Sequence, residues 1–156
     1  MGYSQKDKQK RGSDFEAEFR ASISQAGFWC YKIITGFSGT PFDYLLMKKD
    51  GRALAVELKR TAKNTLSYSQ IRDKQRKGLT DFHDRGGKAY IVWNVKNENE
   101  NRCYIIPWVM VMNEINSGVK GSIKVDKFEE APRLKLDSGK YGWNFNNFLS
   151  LGEVIY

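Results

Sequence analysis

The chain has 156 residues and a mass of 18.0 kDa, with a net charge of +8 and a pI near 9.5. A chain of this length buries roughly two thirds of its unfolded surface as one domain, and 40% hydrophobic against 28% charged residues excludes wholesale disorder. One histidine, and two cysteines without a CxxC pair, argue against zinc-finger and histidine–metal chemistry, while no apolar run approaches the ~20 residues of a membrane span.

The Lys-rich start lacks the apolar stretch of a secretory leader, so the protein is expected in the cytoplasm. Residues 1–12, with Lys6, Lys8, Lys10 and Arg11, read as a flexible basic arm. Ser13-Asp14-Phe15-Glu16 then opens a helix with an apolar stripe of Phe15, Phe19, Ile23 and Ala26, ended by Gly27. Residues 28–34 read as a strand, followed by a loop over 36–41. Strands at 42–47 and 52–59 flank Asp50-Gly51, a strong hairpin signal. A helix over about 68–85 stops at Gly86-Gly87. Residues 89–95 form a β-branched and aromatic strand that pairs across a polar turn with 102–106, and Pro107 starts a short helix to Ile115. Beyond Gly118 the pattern weakens to one short strand at 122–125 and an irregular, aromatic-rich tail. The expected class is α/β, a sheet flanked by helices, with one domain over 13–156. Its core spans about 13–115 and its C-terminal extension 116–156. Cys30 and Cys103, each in an apolar run, read as buried thiols in a reducing compartment, and His83, among acids near a helix end, as a surface residue.

The basic balance points to a polyanionic partner. The cations cluster in the arm, after a strand at Lys59, Arg60 and Lys63, and on one helix at Arg72, Lys74, Arg76 and Lys77. No strongly apolar amphipathic face accompanies them, so nucleic acid is favoured over a membrane surface.

Chemistry concentrates on residues 53–59. Alternation puts Leu54, Val56 and Leu58 on the core face, and Ala55, Glu57 and Lys59 on the other. Asp43 lies in an apolar run on the preceding hairpin strand, where a carboxylate is costly unless a cation satisfies it. Asp43, Glu57 and the Leu58 carbonyl form a candidate hard-cation site, with Lys59 aimed at the same phosphate. The competing reading is a structural Glu57–Lys59 ion pair. Glu16 sits about 60° from the centre of its helix stripe and Glu18 about 100° on the other side, so Glu16 can border a buried site. It can equally close a Ser13-x-x-Glu16 capping box. Gln75 shares a stripe with Ile71, Gly78, Leu79 and Phe82, either as a satisfied core glutamine or as a support for the site.

Asp43 with Glu57-Leu58-Lys59 resembles the PD-(D/E)xK nuclease motif, with Phe42-Asp43 in place of Pro-Asp. Arg11-Gly12-Ser13-Asp14-Phe15-Glu16 resembles the opening of archaeal and phage Holliday junction resolvases. Residues 69–79, and 86–92 leading to Tyr104-Ile105-Ile106-Pro107, are similar to RecU-type resolvases. The resemblance covers roughly residues 10–110. It implies a restriction-endonuclease-like core with a central mixed sheet flanked by helices, and a Mg²⁺-dependent nuclease, with Mn²⁺ able to substitute, that cuts four-way junctions. A general restriction or repair endonuclease, and a non-catalytic DNA-binding domain, are the alternatives. By this resemblance Asp43 and Glu57 are metal ligands, Glu16 and Lys59 are catalytic, and Gln75 supports them. Lys6, Lys8, Lys10, Arg11, Lys63, Arg72, Arg76 and Lys77 are the expected DNA contacts. A homodimer matching junction symmetry is expected, with Phe28, Trp29, the 108–112 run, Tyr141, Trp143, Phe145 and Phe148 as interface material. No membrane or small-molecule cofactor is expected, and the cytoplasm would be a host cell's if the chain is phage-encoded. Two departures stand out: residues 17–42 leave little room for the long stalk of cellular RecU proteins, and the last 45 or so residues match nothing in the family pattern.

Overall fold

The computed structural model describes residues 2–36, 39–118, 121–129, 134–139 and 142–146. Its order is α1 (Gln5–Gln25), β1 (Trp29–Lys32), β2 (Tyr44–Met47), β3 (Ala53–Thr61), β4 (Thr65–Ser67), a 3-10 turn (Tyr68–Gln70) and α2 (Asp73–Asp84). There follow β5 (Lys88–Lys96), β6 (Asn101–Pro107), α3 (Trp108–Asn116), β7 (Ser122–Lys124), α4 (Asp126–Glu129), β8 (Lys135–Leu136), β9 (Ser138–Gly139) and β10 (Gly142–Trp143).

Six strands form the central sheet in the order β1-β2-β3-β5-β6-β8. The sheet is mixed: β3 and β5 run parallel, joined by α2, and the other neighbours are antiparallel. Asp50 and Gly51 make the β2–β3 turn, where Gly51 takes φ 85°. Period-two alternation sends Leu54, Val56 and Leu58 into a core under α1 with Phe15, Phe19 and Ile23. Ala55 goes to the opposite face, into a second core with Leu79 of α2 and Trp108 and Val111 of α3.

Three expectations change. First, residues 5–12 are helical, because α1 starts eight residues before Ser13. Its capping box is Ser4 with Asp7, whose side chains answer each other's backbone N–H at 3.2 Å each. Ser13 therefore lies inside a helix and caps nothing. Second, the expected helix over 68–85 divides, since Ile71 and Arg72 are extended between the 3-10 turn and α2. Third, the C-terminal segments complete the domain instead of extending it. Strand β7 pairs with β4, β8 joins the sheet edge beside β6, and Trp143 and Phe145 enter the α1 core. The backbone N–H of Trp143 donates to Ser22 Oγ at 3.0 Å. Cys103 is buried and Cys30 half-buried, both free thiols, and burial pushes Cys30 up to about 11. His83 is half-buried instead of lying on the surface.

Candidate active site

The site forms where β2 begins beside the middle of β3. The Asp43 N–H donates to the Val56 carbonyl (3.1 Å) and its own carbonyl accepts from Ile33 N–H (2.9 Å), which clamps this residue between β1 and β3. Its Oδ2 accepts the Leu58 N–H at 2.8 Å. Burial is the main cause raising the Asp43 carboxyl above its ordinary range.

Glu57 is 2% exposed, on the α2 face. Its Oε1 accepts from Gln75 Nε2 at 2.6 Å and pairs with Lys59 Nζ at 3.2 Å. Its Oε2 is buried with no hydrogen-bonding partner. Burial first, and then the neighbouring Asp43 charge, push Glu57 up to about 8. Two carboxylates held this close without a proton or a cation between them repel, and the orphaned Oε2 is the acceptor a cation would take. Among the described residues no three acidic, histidine or cysteine side chains converge as a complete ligand cluster. The donor set on offer is therefore two carboxylates and the intervening Leu58 carbonyl, compatible with a hard cation that keeps several waters.

Gln75 ties the site together. Its Oε1 accepts from the Arg72 N–H (3.0 Å) and from Lys59 Nζ (3.3 Å), while its Nε2 holds Glu57. It thus caps its own helix and orients both partners. Lys59 Nζ also donates to the Gln70 carbonyl at 2.6 Å. Helix α2 can come this near because residue 78 is glycine: a Cβ there would stand 2.3 Å from Pro41 Cβ and 2.6 Å from its carbonyl oxygen.

Glu16 approaches from α1. It lines a cavity of about 340 Å³ with Asp43, Leu58, Arg60 and Lys8, and its Oε2 is held by Lys32 Nζ at 2.9 Å. Glu18 turns away to Arg60 Nη2 at 2.8 Å. Residue type and spacing alone did not single out Lys32 and Arg60. Lys32 carried one signal, as the sole cation between Arg20 and Asp43. The Arg60 side chain is 3% exposed, and it bonds Asn94 Oδ1 (2.6 Å), the Arg11 carbonyl (3.3 Å) and Glu18 while lying over the Phe15 ring. It therefore fastens α1 to the sheet beside Glu16.

The expected DNA-contact residues divide. Lys6, Lys8, Lys10, Lys63, Arg72 and Lys77 are exposed. Lys8 and Lys63 line a second cavity, of about 660 Å³, with Tyr3 and Gln70. Arg11 donates to the Lys96 carbonyl (2.7 Å) and the Tyr3 hydroxyl (3.2 Å), and Arg76 to the Ile71 and Tyr68 carbonyls (2.9 and 2.7 Å). These two guanidiniums are committed to holding the fold. Of the expected interface residues, Phe28, Trp108, Val111, Trp143 and Phe145 are core and Val109, Met110 and Met112 are half-buried. Trp29 is 55% exposed, and Tyr141 and Phe148 lie outside the described residues.

A family model, Recombination protein U, matches residues 40–140, a span that holds Asp43, Glu57, Lys59 and Gln75 but not Glu16. Among solved structures the chain is similar to Hjc, a Holliday junction resolvase from the archaeal hyperthermophile Archaeoglobus fulgidus, with 19% sequence identity and a TM-score of 0.54. The match covers 76% of this chain and 92% of that one. The shared fold is the restriction-endonuclease-like arrangement, a mixed central sheet flanked by helices. No curated protein matches this chain.

Proposed function

The chain belongs to the recombination protein U family, and from that premise we propose that it is a divalent-metal-dependent endodeoxyribonuclease resolving four-way DNA junctions by paired phosphodiester hydrolysis. The observation that carries this reading is the half-buried Asp43 beside the buried Glu57, whose Oε2 is unpartnered, with Lys59 next to it. A divalent cation, Mg²⁺ with Mn²⁺ as a working substitute, would be held by Asp43, Glu57 and the Leu58 carbonyl, supplying a water of lowered pKa and positive charge at the phosphate. Lys59 brings an ammonium to the same place, where charge grows on the phosphate oxygens. Gln75 fixes both Glu57 and Lys59, so neither must reorganise when substrate arrives. Glu16, on the wall of the same cavity, is poised to orient a water once Lys32 releases it. Lys6, Lys8, Lys10, Lys63, Arg72 and Lys77 supply backbone contacts around the site.

The partner is branched DNA inside the cell. The enzyme works as a homodimer, because a four-way junction has approximate two-fold symmetry and needs two matched nicks. The test is incubation with four-way-junction, duplex and single-stranded DNA in Mg²⁺, and then in EDTA. Cutting confined to the junction, and only with Mg²⁺, is the expected result. Duplex cutting would instead indicate a general endonuclease of restriction or repair type. Binding without cutting in any metal would reduce the protein to a DNA-binding domain.

A further inference from the structure

Strand β1 is one edge of the central sheet. Its alternation sends Cys30 toward the α1 core and leaves Trp29 and Tyr31 on the opposite face, the one that carries Glu57. Helices α2 and α3 cover that face over β3, β5 and β6, but at the edge Trp29 and Tyr31 are each 55% exposed. Their rings lie nearly parallel, at 11° with centroids 5.8 Å apart, and Met47, paired with Trp29 in the ladder, extends the strip. We propose that Trp29 and Tyr31 are a stacking platform for bases uncovered at the branch point of the DNA.

Position supports this. The Ile33 N–H is bonded to the Asp43 carbonyl. At about 3.3 Å per residue, Tyr31 lies roughly 7 Å and Trp29 roughly 13 Å along the strand from that pair. Those offsets correspond to about two and four nucleotide steps of 3.4 Å. Charge supports it as well. Lys49 is exposed in the adjoining turn, whose acid, Asp50, is tied to Arg52, while Lys32 and Lys48 lie on the other face of the sheet, with Glu16 and over the Phe28 ring. A second copy docked here about a two-fold axis would set Lys49 against its own counterpart, whereas a polyanion neutralises it. Aromatic rings accept any base face, but in continuous duplex both faces of each base are already covered. The platform therefore selects branched over linear DNA, and this inference rests on the resolvase reading. Residues 29 and 31 lie outside the span matched by the family model.

Tryptophan emission reads this site. The other three tryptophans, Trp93, Trp108 and Trp143, are buried, so acrylamide quenching reports mainly on Trp29. In EDTA, a four-way junction carrying 2-aminopurine at the branch should shield Trp29 from acrylamide and lose its own emission. A linear duplex of equal length should do neither. Replacing both residues, Trp29→Ala with Tyr31→Ala, should weaken junction binding roughly tenfold or more while changing duplex binding less than about twofold. Trp29→Phe with Tyr31→Phe should restore junction binding. Trp29 remaining equally accessible in the bound junction, in a protein that still cuts junctions with Mg²⁺, would overturn the platform alone. Shielding that appears without DNA and grows with protein concentration would assign the strip to a second copy and overturn it too. A protein that neither binds nor cuts junctions would remove the resolvase reading and the platform together.

Discussion

In the proposed mechanism Glu57 joins stability to catalysis. In the metal-free fold its pKa is raised from 4.5 to about 8, and Asp43 is shifted in the same direction. Between those two pH values the unfolded chain has released the Glu57 proton and the folded chain keeps it, so stability falls as pH rises and levels off above about 8. Metal-free Tm should therefore decline across that window, and Glu57→Gln, which has no proton to release, should flatten the decline while abolishing cleavage. Mg²⁺ should raise the wild-type Tm more at pH 8 than at pH 6, because a bound cation stabilises the ionised carboxylates. A melting series at both pH values checks this; equal Mg²⁺ shifts would argue against Glu57 as a ligand. Lys59→Ala separates the roles further. It should lose cleavage yet keep the Mg²⁺-induced Tm shift, since in the proposed mechanism the ammonium serves the phosphate and does not ligate the metal. Loss of that shift along with activity would mean that Lys59 builds the metal site.

At the level of elements, the seating of α2 decides whether Gln75 reaches Glu57. Gly78→Ala places a methyl group against the Pro41 backbone, which has no flexible side chain to give way. We expect a loss of about 1–3 kcal/mol in stability, together with a fall in cleavage rate exceeding any change in junction affinity. Thermal melts and single-turnover cutting measure the two separately. Unchanged cutting in a destabilised variant would show that Gln75 does not need this seat. Helix α1 presents Lys6, Lys8 and Lys10 as exposed side chains on an ordered helix, so they can be removed without disturbing the core. Changing all three to Ala should make the salt dependence of junction binding shallower, by up to about 0.9 in the log–log slope for each phosphate no longer neutralised. An unchanged slope would show that this helix does not touch DNA.

For the whole molecule, the relevant quantities are the +8 charge and the proposed site at Asp43 and Glu57. Two cuts placed symmetrically require two chains, and a C₂ pair holds the sites at a fixed spacing. Sedimentation equilibrium at micromolar protein should give a mass near twice 18.0 kDa. A monomer that cuts both strands of a junction with full activity would refute the pairing. Among the described residues no helix is long and apolar enough to cross a membrane.

Much of the geometry of β3 and of the proposed site was legible from residue order alone. The alternation in residues 53–59 separates Leu54, Val56 and Leu58 from Glu57 and Lys59, and Asp50-Gly51 forces the turn that returns Asp43 to their side. Both are local constraints, acting over one or two residues of pleat or turn. The helical stripe was enough to place Glu16 near a buried site, but not to exclude a cap. That required knowing that α1 begins at Gln5, which depends on Ser4 and Asp7 and on Arg60 holding the helix to β3 from 49 residues away from Arg11. Gln75 was visible as an oddity on an apolar face, yet its partners come from β3, 16 and 18 residues back in the chain. The tail is the clearest case. Its strands are two or three residues long, too short for any periodicity to register, and Trp143 is core because α1 offers it Ser22 and a neighbouring apolar surface. Local alternation and turn chemistry act on neighbours in sequence, and so were determined by the sequence itself. Which exposed-looking cation holds a helix, and which aromatic is buried, depends on surfaces that meet only once the sheet has formed, and those the tertiary structure decided.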